Sequence, residues 1–156
     1  MKKCAEFTEK VETIFDYLFN EHDFVLVFTR EETKRSGYCL LGLQNAVCRI
    51  VIYKTWSEGN LWIGPLNAAF DWALEGFYSG GALLMFILKQ DFQLPDFKEF
   101  HSTEIQLQNL SDLLKPNVEE LLDLFKESKL DSWQKEYKTF MTHQEKKIVD
   151  LLDKKN

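Results

Sequence analysis

The sequence predicts an α+β fold: an N-terminal helix, an antiparallel sheet of about five strands built from hairpins, and helices packed on one face of that sheet. Three observations support this prediction. The opening residues have a helical period, the next stretch has short apolar runs separated by turn signals, and the last third is helical again. With 156 residues and no Pro/Gly/Ser-rich linker, we expect one domain over residues 1–156.

The first predicted element is an amphipathic helix over residues 3–20. Acidic residues occupy the face opposite a stripe of apolar residues that recur at helical spacing. The stripe consists of Cys4, Phe7, Val11, Ile14, Phe15 and Leu18.

The predicted sheet follows. Residues 23–31 are rich in β-branched and aromatic residues, and we expect a strand covered on both faces. Turn signals at Gln44-Asn45 and Glu58-Gly59-Asn60 predict consecutive hairpins. Their strands are expected at about 38–43, 47–55 and 61–65. The second turn would place Trp56 opposite Leu61 and near Trp62, giving aromatic cross-strand contacts.

The middle of the chain is open to two interpretations at two places. Residues 67–77 fit a short helix capped by Asn67, although their aromatic density also suits a packed loop. Residues 82–89, "ALLMFILK", form an apolar run of strand length, which we interpret as a fifth, buried strand. A helix is the alternative for this run.

Two or three helices are predicted at the C-terminus. Pro116 separates a leucine-rich helix from a second one, which Asn117 and Glu120 open with the pattern of a capping box. Asp131 and Gln134 can cap the last helix in the same way. We expect the stripe of this helix to be buried; it consists of Trp133, Tyr137, Phe140, Met141, Ile148, Leu151 and Leu152.

Composition excludes several classes of function. A net charge of −6 disfavours nucleic acid as a partner, and no apolar stretch approaches the length of a membrane helix. The N-terminus has no apolar run typical of a secretory signal, so we expect a cytoplasmic protein without a membrane partner. The odd count of Cys4, Cys39 and Cys48 predicts three free thiols and no disulfide. No ligand spacing or phosphate loop indicates a metal or a cofactor.

No catalytic signature is recognisable in the sequence. The best scattered candidates are His22, between Glu21 and Asp23, and His101, near Glu99 and Glu104, because a carboxylate can orient an imidazole for acid or base chemistry. A small enzyme with an unmarked pocket is therefore an alternative function. Solvated or helix-capping histidines are the simpler interpretation.

Negative charge is concentrated in one part of the chain. Residues 91–123 contain eight carboxylates and two lysines, so this stretch alone carries a net charge of −6. In residues 91–104 the acids surround phenylalanines, a pattern that favours a basic partner protein, with charge steering the encounter and the rings desolvated at the contact. The predicted binding residues are Asp91, Asp96, Phe97, Glu99, Phe100 and Glu104. Core-edge rings among solvated acids are the alternative interpretation.

The layout resembles the bacterial immunity proteins encoded beside polymorphic toxins. The resemblance lies in the end of the first helix, "YLFNEHDF", the hairpin "RIVIYKTWSEGNLWIG" and the acidic tail "LSDLLKPNVEELLDLF". It implies a cytoplasmic, non-catalytic protein that blocks a cognate toxin, for example a basic toxin domain, as a monomer or homodimer. Because the net charge is modest, a toxin other than a nuclease also fits. A homo-oligomeric interaction subunit is a further alternative.

Overall fold

The computed structural model describes residues 2–32, 34, 37–92 and 101–154. It confirms an α+β fold with a five-stranded antiparallel sheet. Helices α1 and α2 precede strands β1 to β4, a short β5 leads into α3, and α4, a 3-10 turn, α5 and α6 follow. The elements are α1 Lys2–Ile14, α2 Asp16–Asn20, β1 Val25–Glu31, β2 Cys39–Gln44, β3 Arg49–Lys54, β4 Gly59–Gly64, β5 Tyr78–Ser79, α3 Gly80–Leu88, α4 Thr103–Leu114, the 3-10 turn Lys115–Asn117, α5 Val118–Asp123 and α6 Gln134–Lys154.

The strands lie in the order in which they occur in the chain, β1-β2-β3-β4-β5, each antiparallel to its neighbour. Both predicted hairpin turns are confirmed. At the first, the Asn45 side-chain oxygen accepts hydrogen bonds from the backbone N–H groups of Val47 and Cys48, at 2.8 and 3.0 Å. At the second, Thr55 and Glu58 close the turn by a backbone hydrogen bond of 2.7 Å.

One face of the sheet, the helix face, carries the main core. Alternate residues of β2, β3 and β4 point to this side because successive strand residues face opposite ways. Helices α1, α3, α4 and α5 cover them, as predicted for helices packed on one face. The fully buried strand residues are Cys39, Leu41, Leu43, Ile50, Ile52, Leu61 and Ile63.

The opposite face, the loop face, is covered by residues 65–77. Its buried cluster is smaller and more aromatic than the main core. Gly42 lies at its centre: a Cβ there would come within 2.8 Å of the Phe70 ring. The missing side chain leaves room for Phe70 to stack on Phe28, with ring centroids 5.6 Å apart. The loop thus closes over the strand because position 42 is glycine.

The predicted helix over residues 3–20 is in fact two helices, α1 and α2. The break at Phe15 leaves the Ile14 carbonyl without its usual helical donor, since the Leu18 N–H bonds to Phe15 instead. Ser111 of α4 donates its hydroxyl to Ile14 at 2.8 Å, and Tyr17 hydrogen-bonds to the same serine at 2.9 Å. The apolar period continues through the break, so it could not reveal it.

The predicted strand over residues 82–89 is wrong, because this run forms most of α3. Ser79 caps the helix by accepting from the Ala82 N–H at 3.4 Å, and Lys89 ends it with a positive φ of 55°. The helix is packed by β4, α4, α5 and α6, so its apolar residues face several neighbours and leave no amphipathic period to read. The fifth strand is Tyr78–Ser79 instead.

Three further expectations about the sheet region are wrong. Residues 67–77 form turns rather than a helix, and the packed-loop alternative is confirmed. Strand β1 is an edge strand rather than one covered on both faces, with Val25 and Val27 57% and 50% exposed. Trp56 is 77% exposed and lies in the turn beyond the last strand pair, so it does not pack across the hairpin.

The prediction of three free thiols is also wrong. Cys4 of α1 and Cys39 of β2 form a disulfide, with their Cα atoms 5.7 Å apart. They are 35 residues apart in sequence but meet where α1 packs on the sheet, which spacing along the chain could not show. Cys48 is free and buried, and burial raises the pKa of its thiol to about 12, which keeps it unreactive.

The last helix is only partly buried: Gln144 is its buried residue within the described chain, and Phe140, which was expected to be buried, is half-buried. Trp133 is 5% exposed and its indole N–H donates to the Leu124 carbonyl at 2.7 Å, which confirms the expected burial there. Leu151 and Leu152 are 45% and 46% exposed, so the predicted buried stripe does not extend through the last turns. Among the described residues, no helix has both the length and the apolar composition needed to cross a membrane.

Candidate binding surface

The structure describes two of the six predicted binding residues. Asp91 follows the end of α3, and Glu104 lies in the first turn of α4. The other four, Asp96, Phe97, Glu99 and Phe100, lie outside the described residues. Asp91 and Glu104 contact different parts of the fold.

Asp91 is held against α6 by a buried glutamine. Gln144, 2% exposed, donates its side-chain N–H to Asp91 at 2.9 Å and accepts from the Phe92 backbone N–H at 2.8 Å. Lys147 forms an ion pair with the other Asp91 oxygen at 2.9 Å. The hydrogen bond from Gln144 and the one from Lys147 lower the pKa of Asp91, so its carboxylate is charged at neutral pH.

Glu104 faces the other end of the helical layer. Its carboxylate pairs with Lys10 of α1 at 3.0 Å, and both side chains are more than half exposed. The two lie beside a small depression whose walls include Phe7 and Leu107. The structure therefore assigns Glu104 a contact with α1, whereas Asp91 belongs to the surface around α6.

Asp91 lies at the rim of a groove between the end of α3, α5 and α6, which we call the α6 groove. Its volume is about 620 Å³. Apolar side chains, among them Phe86 and Phe140, form part of its wall, with their ring centroids 5.5 Å apart. Its four carboxylates are Asp91, Glu120, Asp123 and Glu136, and its two lysines are Lys89 and Lys147.

The four carboxylates differ in how far they are neutralised. Asp91 pairs with Lys147, and Asp123 pairs with Lys126 and Lys129, contacts that lower the pKa of Asp123. Glu120 and Glu136 are exposed and have no ion-pair partner within the part of the chain that the structure describes. Glu120 and Glu136 are therefore the carboxylates of the groove that no described lysine pairs with, and they suit a cationic group placed over an apolar wall.

Two features of this surface were missed from the sequence. Gln144 recurs at helical spacing with Tyr137, Phe140 and Ile148, so it is a polar residue on an otherwise apolar stripe. A buried polar side chain needs a hydrogen-bonding partner, and that interruption is the signal that could have found it. The carboxylate of Glu136 carries no such signal, because an exposed acid on a helix is ordinary.

The groove borders a positively charged face of α6. Lys135, Lys138 and Lys146 lie on that face, together with His143, which also reaches the groove. A partner that covers both the α6 groove and this positively charged side of α6 would therefore need basic groups over the groove and acidic groups beside it.

The two histidines proposed for the enzymatic alternative each have a backbone carbonyl that takes part in a structural hydrogen bond. The His22 carbonyl accepts from the Asn45 side chain at 2.9 Å, which ties the end of α2 to the first hairpin turn. The His101 carbonyl accepts from Gln106 at 3.0 Å just before α4. Within the described residues, no group of three or more His, Cys, Asp or Glu side chains is placed to hold a metal ion.

Comparison with known proteins adds no relative: no family model, curated protein or solved structure matches this chain.

Proposed function

We propose that this chain is a non-catalytic binding protein that neutralises a cognate toxin, as bacterial immunity proteins do, by receiving basic side chains of that toxin at the α6 groove. The observation that carries the proposal is the combination of an apolar wall with two unpaired glutamates, Glu120 and Glu136. Charged groups at the rim steer a partner of opposite charge, and apolar rings supply the contact that slows dissociation.

The site extends from the groove into the predicted segment. Gln144 fixes Asp91 and Phe92 beside Phe140, with the two phenylalanine rings 5.7 Å apart. Asp96, Phe97, Glu99 and Phe100 follow Phe92 in the sequence and lie outside the described residues; we propose them as further binding residues. Phe140 is the proposed apolar anchor on the described side.

Location is part of the proposal. We place the protein in the bacterial cytoplasm, where the resemblance puts it. The Cys4–Cys39 disulfide counts against this, because disulfides persist mainly in oxidising compartments. Trapping thiols in intact cells with an alkylating reagent decides the matter: an oxidised pair in the cell would move the protein to an oxidising compartment.

The test of the binding site uses the product of the neighbouring toxin gene and measures both rate constants. Reversing Glu120 and Glu136 to lysine should slow association about tenfold at low salt and flatten its salt dependence, since steering acts over a Debye length of about 10 Å at 0.1 M salt. Phe140→Ala should instead speed dissociation about tenfold. Reversal of Asp96 and Glu99 tests the rest of the site in the same assay.

A matched control is available on the same helices. Glu119 of α5 and Glu145 of α6 are exposed glutamates that do not line the α6 groove. The double reversal of these two makes the same change in net charge at different positions. If it slows association as much as the groove reversal does, total charge acts rather than the groove, and the site assignment is wrong.

A further inference from the structure

A second groove, independent of the proposed toxin-binding surface, opens on the loop face of the sheet. It lies between Glu32, Lys34 and Tyr38 on one side and the β3–β4 turn and the loop of residues 65–77 on the other, and its volume is about 670 Å³. We call it the aromatic pocket and define it by Glu32, Lys34, Tyr38, Tyr53, Glu58 and Trp72. Its volume is within the range of small-molecule sites.

Three aromatic rings meet in this pocket. Trp72 is central: its ring centroid lies 6.0 Å from that of Tyr38 and 5.7 Å from that of Tyr53, at interplanar angles of 50° and 74°. The rings come from three separate segments, and Trp72 is tilted against Tyr38 and edge-on to Tyr53, so three aromatic side chains border the same space. The face of an aromatic ring attracts a cation placed within about 6 Å of the ring centroid.

The charged groups of the pocket favour a cation as well. Among the described residues that line the pocket, two carry carboxylates, Glu32 and Glu58, and one carries an ammonium group, Lys34. Glu58 is fixed in place, because its side chain accepts from the Tyr53 hydroxyl at 2.9 Å and from the Asn60 amide at 3.2 Å. Its own backbone N–H is held by Thr55 at 3.0 Å. A carboxylate is therefore positioned beside the rings before any ligand binds.

The wall of the pocket also contains strained backbone. Leu74 has a φ of 54°, in the left-handed region that a leucine seldom adopts. Backbone hydrogen bonds on both sides maintain it, from Leu74 to Asp71 at 3.3 Å and from Phe77 to Leu74 at 3.0 Å. This conformation shapes the loop that presents Trp72, and strain of this kind concentrates at ligand sites.

We infer that the aromatic pocket binds an alkylated ammonium cation, with a trimethylammonium group as the best fit. Aromatic rings that line the pocket offer cation–π attraction, and a methylated ammonium leaves water more readily than a primary one, which needs hydrogen-bond acceptors that rings do not supply. The two carboxylates supply the opposite charge. The cation has two sources with the same chemistry: a free choline-like molecule or a methylated lysine of another protein.

The test is a calorimetric titration of the full chain with tetramethylammonium and with choline. The control ligand is 3,3-dimethylbutan-1-ol, which has the shape of choline without its charge. We expect both cations to bind and the neutral alcohol to bind at least about tenfold more weakly. Equal affinity for the alcohol, or no saturation by either cation at millimolar concentration, would show that the inference is wrong.

Variants locate the site. Trp72→Ala should weaken choline binding about tenfold, and Glu58→Gln should weaken it less. Trp56→Ala is the matched control. Trp56 lies in the β3–β4 turn near Glu58, is 77% exposed and does not line the pocket. Tyr38→Ala provides a second ring deletion if the Trp72 variant fails to fold, as thermal melting will show. Binding that survives both ring deletions in folded protein overturns the assignment.

Two more measurements sharpen the result. Lys34→Gln removes the ammonium group found among the described lining residues and should tighten choline binding severalfold; weaker binding would contradict the charge argument. Titration with a peptide containing trimethyllysine, beside its unmethylated form, distinguishes the sources. Preference for the methylated peptide over choline points to a protein partner, and the reverse points to a small molecule.

Discussion

The two faces of the sheet are built in opposite ways. The helix face buries mainly aliphatic side chains against four helices, and its internal polar groups are paired, as in the contact of Ser111 with Ile14 and Tyr17. The loop face buries fewer residues, and most of the partly buried side chains packed against them are aromatic; they lie beneath a loop without helix or strand. Within the described structure, the buried indole N–H of Trp72 on this face has no hydrogen-bonding partner.

This difference separates stability from recognition. An unpaired buried donor costs about 1–3 kcal/mol, so the loop face gives up stability that the helix face keeps. Loops carried by a rigid scaffold are where proteins most often place binding groups. The helix face therefore holds the fold together, whereas the loop face has room for an open pocket.

The largest change in stability is expected from loss of the disulfide between α1 and β2, which supports the helix face. Closing a loop with a sequence separation of 35 residues restricts the unfolded chain, and its loss should cost about 4 kcal/mol of unfolding free energy. Denaturant unfolding with and without a thiol reductant measures it. The Cys4→Ala/Cys39→Ala variant is the control, because reductant should leave its midpoint unchanged. A shift below about 1 kcal/mol would mean that the helix face is stable without its covalent link.

A smaller effect is expected from Gly42→Ala on the loop face. The new methyl would lie 2.8 Å from the Phe70 ring and displace the loop, at a cost of about 1–3 kcal/mol. Gly81→Ala is the control in α3, where the nearest atom would be 3.9 Å away, and it should stabilise the protein by about 0.5–1 kcal/mol. Thermal unfolding compares the two. Equal effects would mean that the loop does not depend on the space above Gly42.

A further effect appears at alkaline pH and involves both faces. Burial raises the pKa values of Tyr17 and Tyr137 on the helix face, and of Tyr53 on the loop face, to about 12. The unfolded value is about 10, so the folded protein holds these protons more tightly. The resulting stability is complete below about pH 10 and is lost as the pH rises toward 12.

Unfolding free energies measured across this alkaline range test the prediction. Tyr17→Phe and Tyr53→Phe should each make the alkaline loss less steep, because each removes one titrating hydroxyl. A Tyr53→Phe variant with the wild-type slope would show that water reaches this ring, and the loop face would then be more open than described.

The sequence predicted the elements whose signal is local. The hairpin turns depend on neighbouring residues such as Asn45, and the first and last helices have a clear amphipathic period along most of their length. The apolar run of α3 has no such period, and strand and helix are then equally consistent with its composition. This run forms a helix because it packs against β4 and three other helices, and those contacts cannot be read from the local sequence.

The candidate sites were predictable to different degrees. The acidic segment was visible as a local excess of charge, and Asp91 does lie at a groove. Two other residues that line this groove, Glu136 and Gln144, lie on a helix more than 40 residues further along the chain, so no spacing rule links them to Asp91. The aromatic pocket joins Tyr38, Tyr53 and Trp72 from three segments, and each residue alone is an ordinary strand or loop aromatic.

The exposed first strand has a consequence for the behaviour of the protein in concentrated solution. Strand β1 is the outer edge of the described sheet and carries exposed valines, the kind of edge on which other chains can add strands. Its pairing with β2 is irregular between Leu26 and Phe28, where Val27 has no register partner. Such a bulge twists an edge and interrupts its regular row of backbone donors and acceptors. The irregularity therefore opposes edge-to-edge association of sheets into fibrils at β1, whose exposed valines would otherwise favour it.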